Sequence, residues 1–427
     1  MKKPIYYLGV SLLFIAFLSC KNEVPVNQTM SPALWEEDIN HYIKTLEEKH
    51  INLYHSTSKA ETYKSISVLK SKLSELSDDA IFVELMKITR SFNDSHTGTF
   101  TANDFYKSYP FGFFVFEEDE IRVLKTTDTQ KEILGAKLLS IDGKPINEIY
   151  SEIKKVAQNV NNDYSEKERV ARYIKYGKLL YTLKITRKAD EAQFTFLLND
   201  QTEKTVTLKT ISNNEYSNSL TAKITFKSPF QYNDAVLKIP GLWFQADKDK
   251  TVGYINFSSY PSRLTMKRFS IALVRELIKH NTQNIIIDLR DNGGGNSFIG
   301  HILAKILTIT DHLDFLNGVY VLTGRYTYSA GMSNTSDFQE LLHAKLVGEP
   351  TGSNPNDYQD TESFLLPHSK TYVMYSKRIF RYQHTKDSTL LGQGILPDVH
   401  IKPQWDDYKE GIDAPLQWIL EAVKNKQ

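Results

Sequence analysis

The chain has 427 residues, 41% of them apolar, which is more than one small hydrophobic core accommodates and predicts two or three domains. Lys and Arg number 52 against 51 Asp and Glu. Such a balance provides no basic field for a phosphate backbone, so nucleic acid is excluded as a partner class.

Met1, Lys2 and Lys3 precede an apolar run from Ile5 to Leu18 that closes on Ser19 and Cys20. The run is shorter than a membrane-spanning helix requires, and a small residue precedes the cysteine where a processing enzyme would cut. Residues 1–20 therefore read as a secretion signal. Cys20 is the single cysteine and has no internal disulfide partner. Leu18-Ser19-Cys20 resembles a lipobox, although Phe17 stands where that pattern usually has Leu. The expectation is a lipoprotein of the cell envelope, on the periplasmic or outer-surface side, held to the membrane by lipid on Cys20. An uncleaved anchor or a plain signal is the alternative. Residues 21–33, with Pro25 and Pro32, lack periodicity and read as a tether.

From Trp35 the pattern changes. Trp35, Ile39, Tyr42, Ile43 and Leu46, and then Tyr63, Ile66, Leu69 and Leu73, recur at spacings of three and four, the mark of amphipathic helices. A third helix is expected from Ala80 to about Arg90, capped by Ser77-Asp78-Asp79. Residues 34–100 thus form an N-terminal helical region. Between 105 and 210 the texture is strand-like, at 111–116, 121–124, 137–141 and 194–198, with Asp142-Gly143 as a turn and one helix near 146–156. The stretch from Leu134 to Ile146 resembles the core of a PDZ-type domain, a module that binds extended peptide at a sheet edge. A generic strand-turn-helix unit is the plainer reading.

Residues 220–427 alternate strands with helices. Strands are predicted at 252–257, 284–289, 319–323 and 346–348, and helices at 266–280, 297–308 and 330–343. This is an α/β pattern with a buried sheet, in a chain that is α+β as a whole. Asp413-Ala414-Pro415-Leu416 opens a capped terminal helix.

In the core, the strand Ile285-Ile286-Ile287 runs through Asp288-Leu289-Arg290-Asp291-Asn292 into Gly293-Gly294-Gly295. Three glycines let a backbone approach a ligand closely and aim its amides at a developing oxyanion, though a flexible turn has the same composition. Neither the dinucleotide nor the phosphate-loop spacing is present. Farther on, Tyr328-Ser329-Ala330-Gly331 joins a strand to a helix. Helix N-terminal amides there could stabilise negative charge, but a serine at such a turn is more often an N-cap than a nucleophile.

These blocks, in order, resemble the tail-specific (C-terminal-processing) serine peptidase family. Residues 288–295 look like its DLRxNxGG block, Ser329-Ala330 like its nucleophile block, and Gly348-Glu349-Pro350-Thr351-Gly352 like its GEPT-G block. Asp94-Ser95-His96-Thr97 is similar to its D-x-H-T, and Gly394-Ile395-Leu396-Pro397-Asp398 to its G-x-x-P-D. The resemblance spans residues 94–398 and is weak from 150 to 245. It implies a serine-type peptidase that acts on polypeptides, with Ser329 as nucleophile and the amides of Gly294 and Ala330 as oxyanion hole.

One departure is serious. Asn354 stands where the family's Ser-Lys members carry their base lysine, no lysine lies between Lys345 and Lys370, and Met332 replaces a common Glu. The tricorn-like Ser-His branch implies His96 as base instead, an imidazole whose ordinary pKa near 6.5 suits proton transfer. Two alternatives stay open: His96 is structural in an inactive protein that binds a peptide or an apolar ligand, or a displaced lysine such as Lys370 serves. A third group orienting the imidazole is expected. The histidines are scattered without metal-ligand spacing, so no metal and no cofactor are predicted.

Overall fold

The computed structural model describes residues 30–101, 103–383 and 392–426. The signal, Cys20 and most of the tether lie outside the described residues. Three helices open the fold: α1 (Pro32–Lys49), α2 (Lys59–Ser71) and α3 (Asp78–Ser91). Each starts on a serine, Ser31, Ser58 or Ser77, whose hydroxyl accepts a first-turn amide. Their apolar stripes meet in one cluster built on Trp35, Ile39, Tyr42, Leu46, Ile66, Leu85 and Phe92. A short strand, β1 (Gly98–Phe100), follows directly after the His96 loop.

The middle region is built on an antiparallel sheet. Its strands are β2 (Phe111–Val115), β3 (Ile121–Thr126) and β4 (Lys137–Ile141), with the two-residue β5 (Lys144–Pro145) folded back on β4. Helices α4 (Ile146–Lys154), α5 (Asp163–Tyr173) and α6 (Gly177–Thr182) come next, then β6 (Glu191–Leu197), β7 (Glu203–Lys209), α7 (Asn213–Ser219) and β8 (Ala222–Lys223). The strand order is β2-β3-β4-β6-β7, with β8 against β3. Phe111, Phe194, Phe196, Val123 and Leu138 are fully buried at its centre.

The last region holds a second sheet: β9 (Leu237–Ile239), β10 (Leu242–Ala246), β11 (Val252–Phe257), α8 (Arg263–His280), β12 (Asn284–Asp288), α9 (Ser297–Leu307), β13 (Val319–Thr323), α10 (Ala330–Leu342) and β14 (Lys345–Gly348). Strands β11 to β14 run parallel, β10 is antiparallel to β11, and β9 is antiparallel to β10. Because both faces are covered, the strands read as continuous apolar runs. Ile285 and Ile287 face the cluster formed with α8, α9 and α10, while Ile286 faces the opposite cluster with Leu416 and Ile419.

The hairpin β15 (Asn356–Leu365) and β16 (Tyr372–Arg381) leaves this core. It pairs with β1 in a separate three-stranded sheet, and its Leu366, Val373 and Tyr375 pack among the N-terminal helices. The contiguous 220–427 core expected from sequence is thus interrupted, since these apolar side chains find their partners in α1 to α3. The chain returns to the sheet through β17 (Val399–His400), beside β14. It ends on α11 (Trp405–Glu410) and α12 (Ala414–Lys424), the latter capped by Asp413 as expected. The chain is a mixed α/β protein.

Candidate active site

Parallel strands β12 and β13 end side by side, so the glycine run after one and the turn after the other share the same rim of the sheet. Thr327 pins the turn, its hydroxyl donating to the Leu289 carbonyl at 2.8 Å, while the Tyr328 amide donates to Asn292 at 2.9 Å. Ser329 then takes φ 53° and ψ −121°, a sparsely populated conformation for an L-residue. Such a backbone stores on the order of 1–3 kcal/mol and persists only where its surroundings dictate it. The Ser329 side chain makes no capping bond to α10. The N-cap alternative therefore fails, and the hydroxyl faces outward.

It faces His96. The imidazole Nε2 lies 2.9 Å from Ser329 Oγ, although the residues are 233 positions apart. Nδ1 lies 2.7 Å from Ser95 Oγ, and the ring stacks on Tyr328, with centroids 5.4 Å apart. The Tyr328 hydroxyl reaches back to the Ser95 carbonyl at 2.6 Å and the Asn159 carbonyl at 2.9 Å, which locks the histidine loop to the Ser329 turn. For Nε2 to accept the serine proton, Nδ1 must carry a hydrogen, which Ser95 Oγ is placed to accept. Burial lowers the His96 pKa to about 4; Asp94 opposes that shift and the Arg169 guanidinium adds to it.

Asp94 is buried and does not touch the ring. Its carboxylate accepts from the His96 main-chain N–H at 2.8 Å, Thr97 Oγ1 at 2.8 Å, Ser376 Oγ at 2.9 Å and His50 Nε2 at 2.6 Å. The Asn52 amide donates to His50 Nδ1 at 3.0 Å, so the proton of that ring sits on Nε2. Burial alone would raise the Asp94 carboxyl, but His50 and the other donors hold it below its ordinary value.

The oxyanion-hole residues fare differently. Ala330 opens α10, where an amide has no acceptor within the helix. The Gly294 amide, by contrast, donates to Asn292 Oδ1 at 3.1 Å and is engaged in this state. The cause of that bond is local: an Asn side chain bonds readily to a main chain two residues on. Gly294 is required for another reason. At φ 110° it packs so closely on the turn that a Cβ would stand 2.7 Å from that of Ser329.

Asn354 is engaged with the 159–162 loop and Gly394. Its amide donates to Asn161 Oδ1 at 2.5 Å, and its Oδ1 accepts from Asn162 Nδ2 at 3.1 Å and from the Gly394 amide at 2.9 Å. It clasps the 159–162 loop to the core. Lys370 lies at the tip of the β15–β16 hairpin, where its ammonium donates to the Pro367 carbonyl at 2.6 Å. No lysine contact to Ser329 is found among the described residues. Met332 is fully buried in the core, on the helix face turned from solvent.

Residues 251–313 match the model of peptidase family S41. That segment carries β11, α8, β12, α9 and the glycine run, and does not include Ser329 or His96. No curated protein matches the chain. Among solved structures, mature CPAF complexed with lactacystin shares the fold at TM-score 0.64 and 12% identity, covering 92% of this chain and 99% of that one. Mature CPAF alone gives 0.62 and 12%, covering 92% and 98%. The photosystem II D1 C-terminal processing protease aligns at 0.43 and 13%, over 88% and 94%. At these identities the likeness is one of fold.

Other charged residues of the conspicuous sequence blocks serve as clamps. Glu349 pairs with Arg325 at 2.6 and 3.0 Å, Asp288 and Asp413 both hold Arg290, and Asp398 accepts the Leu346 amide at 2.8 Å. Sequence reasoning missed Ser95, Ser353 and Tyr328. Ser353 Oγ accepts the Ser329 amide at 2.8 Å and helps fix its strained backbone. Adjacency to His96 and to Ser329 was the available signal for Ser95 and Tyr328; nothing local pointed to Ser353.

Proposed function

We propose that this chain is a serine peptidase that cleaves polypeptides through an acyl-enzyme on Ser329, with His96 as general base. The observation that supports it is the 2.9 Å contact between His96 Nε2 and the hydroxyl of a conformationally strained Ser329. His96 takes the serine proton as Oγ attacks the scissile carbonyl carbon. The same proton then passes to the leaving amine, and water repeats the cycle on the ester. Ser95 and the Asp94 charge favour the imidazolium that forms between these steps. The Ala330 amide supports the oxyanion, with Gly294 contributing once its bond to Asn292 is exchanged.

The test is labelling by a fluorophosphonate probe. Ser329→Ala should abolish it, and His96→Ala should slow hydrolysis by roughly three to four orders of magnitude with the fold intact. Labelling that survives Ser329→Ala sinks the assignment. The binding-protein alternative rested on Asn354 together with Met332; the clasp that Asn354 forms and the core packing of Met332 give both residues structural reasons independent of lost activity.

We also infer from the sequence that the protein works outside the cytoplasm, tethered by lipid on Cys20. Cys20→Ser should release it from membranes or block its processing. Equal membrane retention of that variant would point to another anchor.

A further inference from the structure

Strand β1 continues the histidine loop, and only one of its edges meets another strand. Among the described strands it pairs with β16 alone. In an antiparallel ladder the N–H and C=O of one residue point to the same edge, so every second residue of an outer strand turns both groups away from the sheet. In β1 that residue is Thr99. It is fully buried, where a main-chain donor and acceptor left without partners would destabilise the strand. One side chain satisfies both. The Thr99 amide donates to Gln158 Oε1 at 2.7 Å, and Gln158 Nε2 donates back to the Thr99 carbonyl at 2.8 Å. The Thr99 hydroxyl donates to the same Oε1 at 2.9 Å. A carboxamide offers the acceptor and donor of a peptide group, and Gln158 stands where a neighbouring strand would otherwise lie.

Gln158 is 1% exposed and comes from the loop between α4 and α5. The residue after it faces both halves of the chemistry. Asn159 Nδ2 donates to the Thr97 carbonyl at 3.4 Å, while the Asn159 carbonyl accepts the Tyr328 hydroxyl at 2.9 Å. Asn159 takes φ 58°, a left-handed conformation that Asn tolerates better than most residues. Asn161 and Asn162 bind Asn354 farther along the same loop. The loop is therefore fixed on the serine side, through Tyr328 and Asn354, and reaches the histidine side through two consecutive carboxamides. Thr97 and Thr99 follow closely on His96, so a shift of β1 moves the imidazole relative to Ser329.

We propose that Gln158 is a positioning residue of the hydrolytic centre, which sets the place of His96 by completing the open edge of β1. The inference rests on the peptidase reading above. Gln158 acts through the strand and not on the reacting atoms. Its hold counts because the 2.9 Å contact from His96 to Ser329 is sensitive to small displacements, and a misplacement of about 1 Å can cost about a hundredfold in rate.

The test compares the full chain with Gln158→Leu, which removes both carboxamide bonds, and with Gln158→Glu, read by hydrolysis of a quenched fluorogenic, unstructured decapeptide. Gln158→Leu should lower kcat about tenfold with KM little changed. A buried carboxyl is neutral at about pH 5.5 and then offers both an acceptor and a donor, so Gln158→Glu should keep most of the rate there and lose it toward about pH 8 as ionisation removes the donor. Carbethoxylation by diethyl pyrocarbonate, mapped by mass spectrometry, reads the same hold without turnover. His96 should react about tenfold faster in Gln158→Leu, while His50, buried against Asp94, keeps its rate. An unchanged kcat in both variants, a change in KM alone, or equal acceleration at His50 and His96 overturns the proposal. Where Gln158→Leu does not fold, Gln158→Glu decides alone, and a pH dependence identical to that of the unmodified chain overturns it. Faster carbethoxylation of His96 in a protein that never hydrolyses the peptide or takes up a fluorophosphonate removes only the peptidase reading; hydrolysis that both substitutions leave untouched removes only the role of Gln158.

Discussion

An imidazole helps a serine hydroxyl only while it can accept a proton, so under the proposed mechanism the pKa of His96 sets the acid limit of the reaction. Its ordinary value near 6.5 suggested a fall in rate on mild acidification. Burial moves that limit to about 4. The rate (kcat/KM) should hold from neutrality to below pH 5 and decline as pH falls through about 4; a limb centred near 6.5 would contradict the buried base. The sign for stability follows from the same shift. Between the unfolded value and about 4 the unfolded chain binds the extra proton, so stability present above pH 6.5 is lost across that interval. The loss is on the order of 3 kcal/mol, and His96→Ala should flatten it in urea titrations. Ser329 and His96 were legible in the sequence because short ordered blocks carry them. The strain at Ser329 and the role of Asn354 were not, since both depend on contacts with loops far away in the chain, to Ser353 and to Asn161 and Asn162.

At the scale of elements, the Asp94 carboxylate ties the end of α1, through His50, to the β1 loop and to β16, through Ser376. Removing one partner of a buried charged cluster leaves the others without compensation, which typically costs about 3–5 kcal/mol. Asp94→Ala should lose stability on that scale by chemical denaturation. Asp94→Asn, which keeps the shape and one acceptor, should lose less and yet still slow hydrolysis, because the charge that favours the His96 imidazolium is gone. Equal rates for Asp94→Asn and the unmodified chain would confine Asp94 to a structural part. The helices and parallel strands that meet here were visible as periods of three to four and as apolar runs. The β15–β16 hairpin was not, because nothing in its alternation tells which sheet it will join. Its pairing with β1, over two hundred residues earlier, is decided by Val373 and Tyr375 finding α1 to α3.

The whole molecule brings its two chemical halves together from different layers: the serine from the rim of the parallel sheet, the histidine from the N-terminal helical region. Tyr328 is the bolt between them, through its two hydroxyl contacts at 2.6 and 2.9 Å. Tyr328→Phe leaves the Ser95 and Asn159 carbonyls without that donor, at about 1–3 kcal/mol. The expected result is a roughly tenfold lower kcat with KM little changed, as for loss of alignment rather than of binding. A change in KM alone would place Tyr328 in substrate contact instead. The order of the chain adds a consequence of its own. A ribosome makes residue 96 long before residue 329, and β1, the strand that follows the histidine, pairs only with β16 among the described strands. A growing chain thus lacks the strand that pairs with β1 until residues beyond 372 have been added, and the loop that presents His96 gains its last support only late in synthesis.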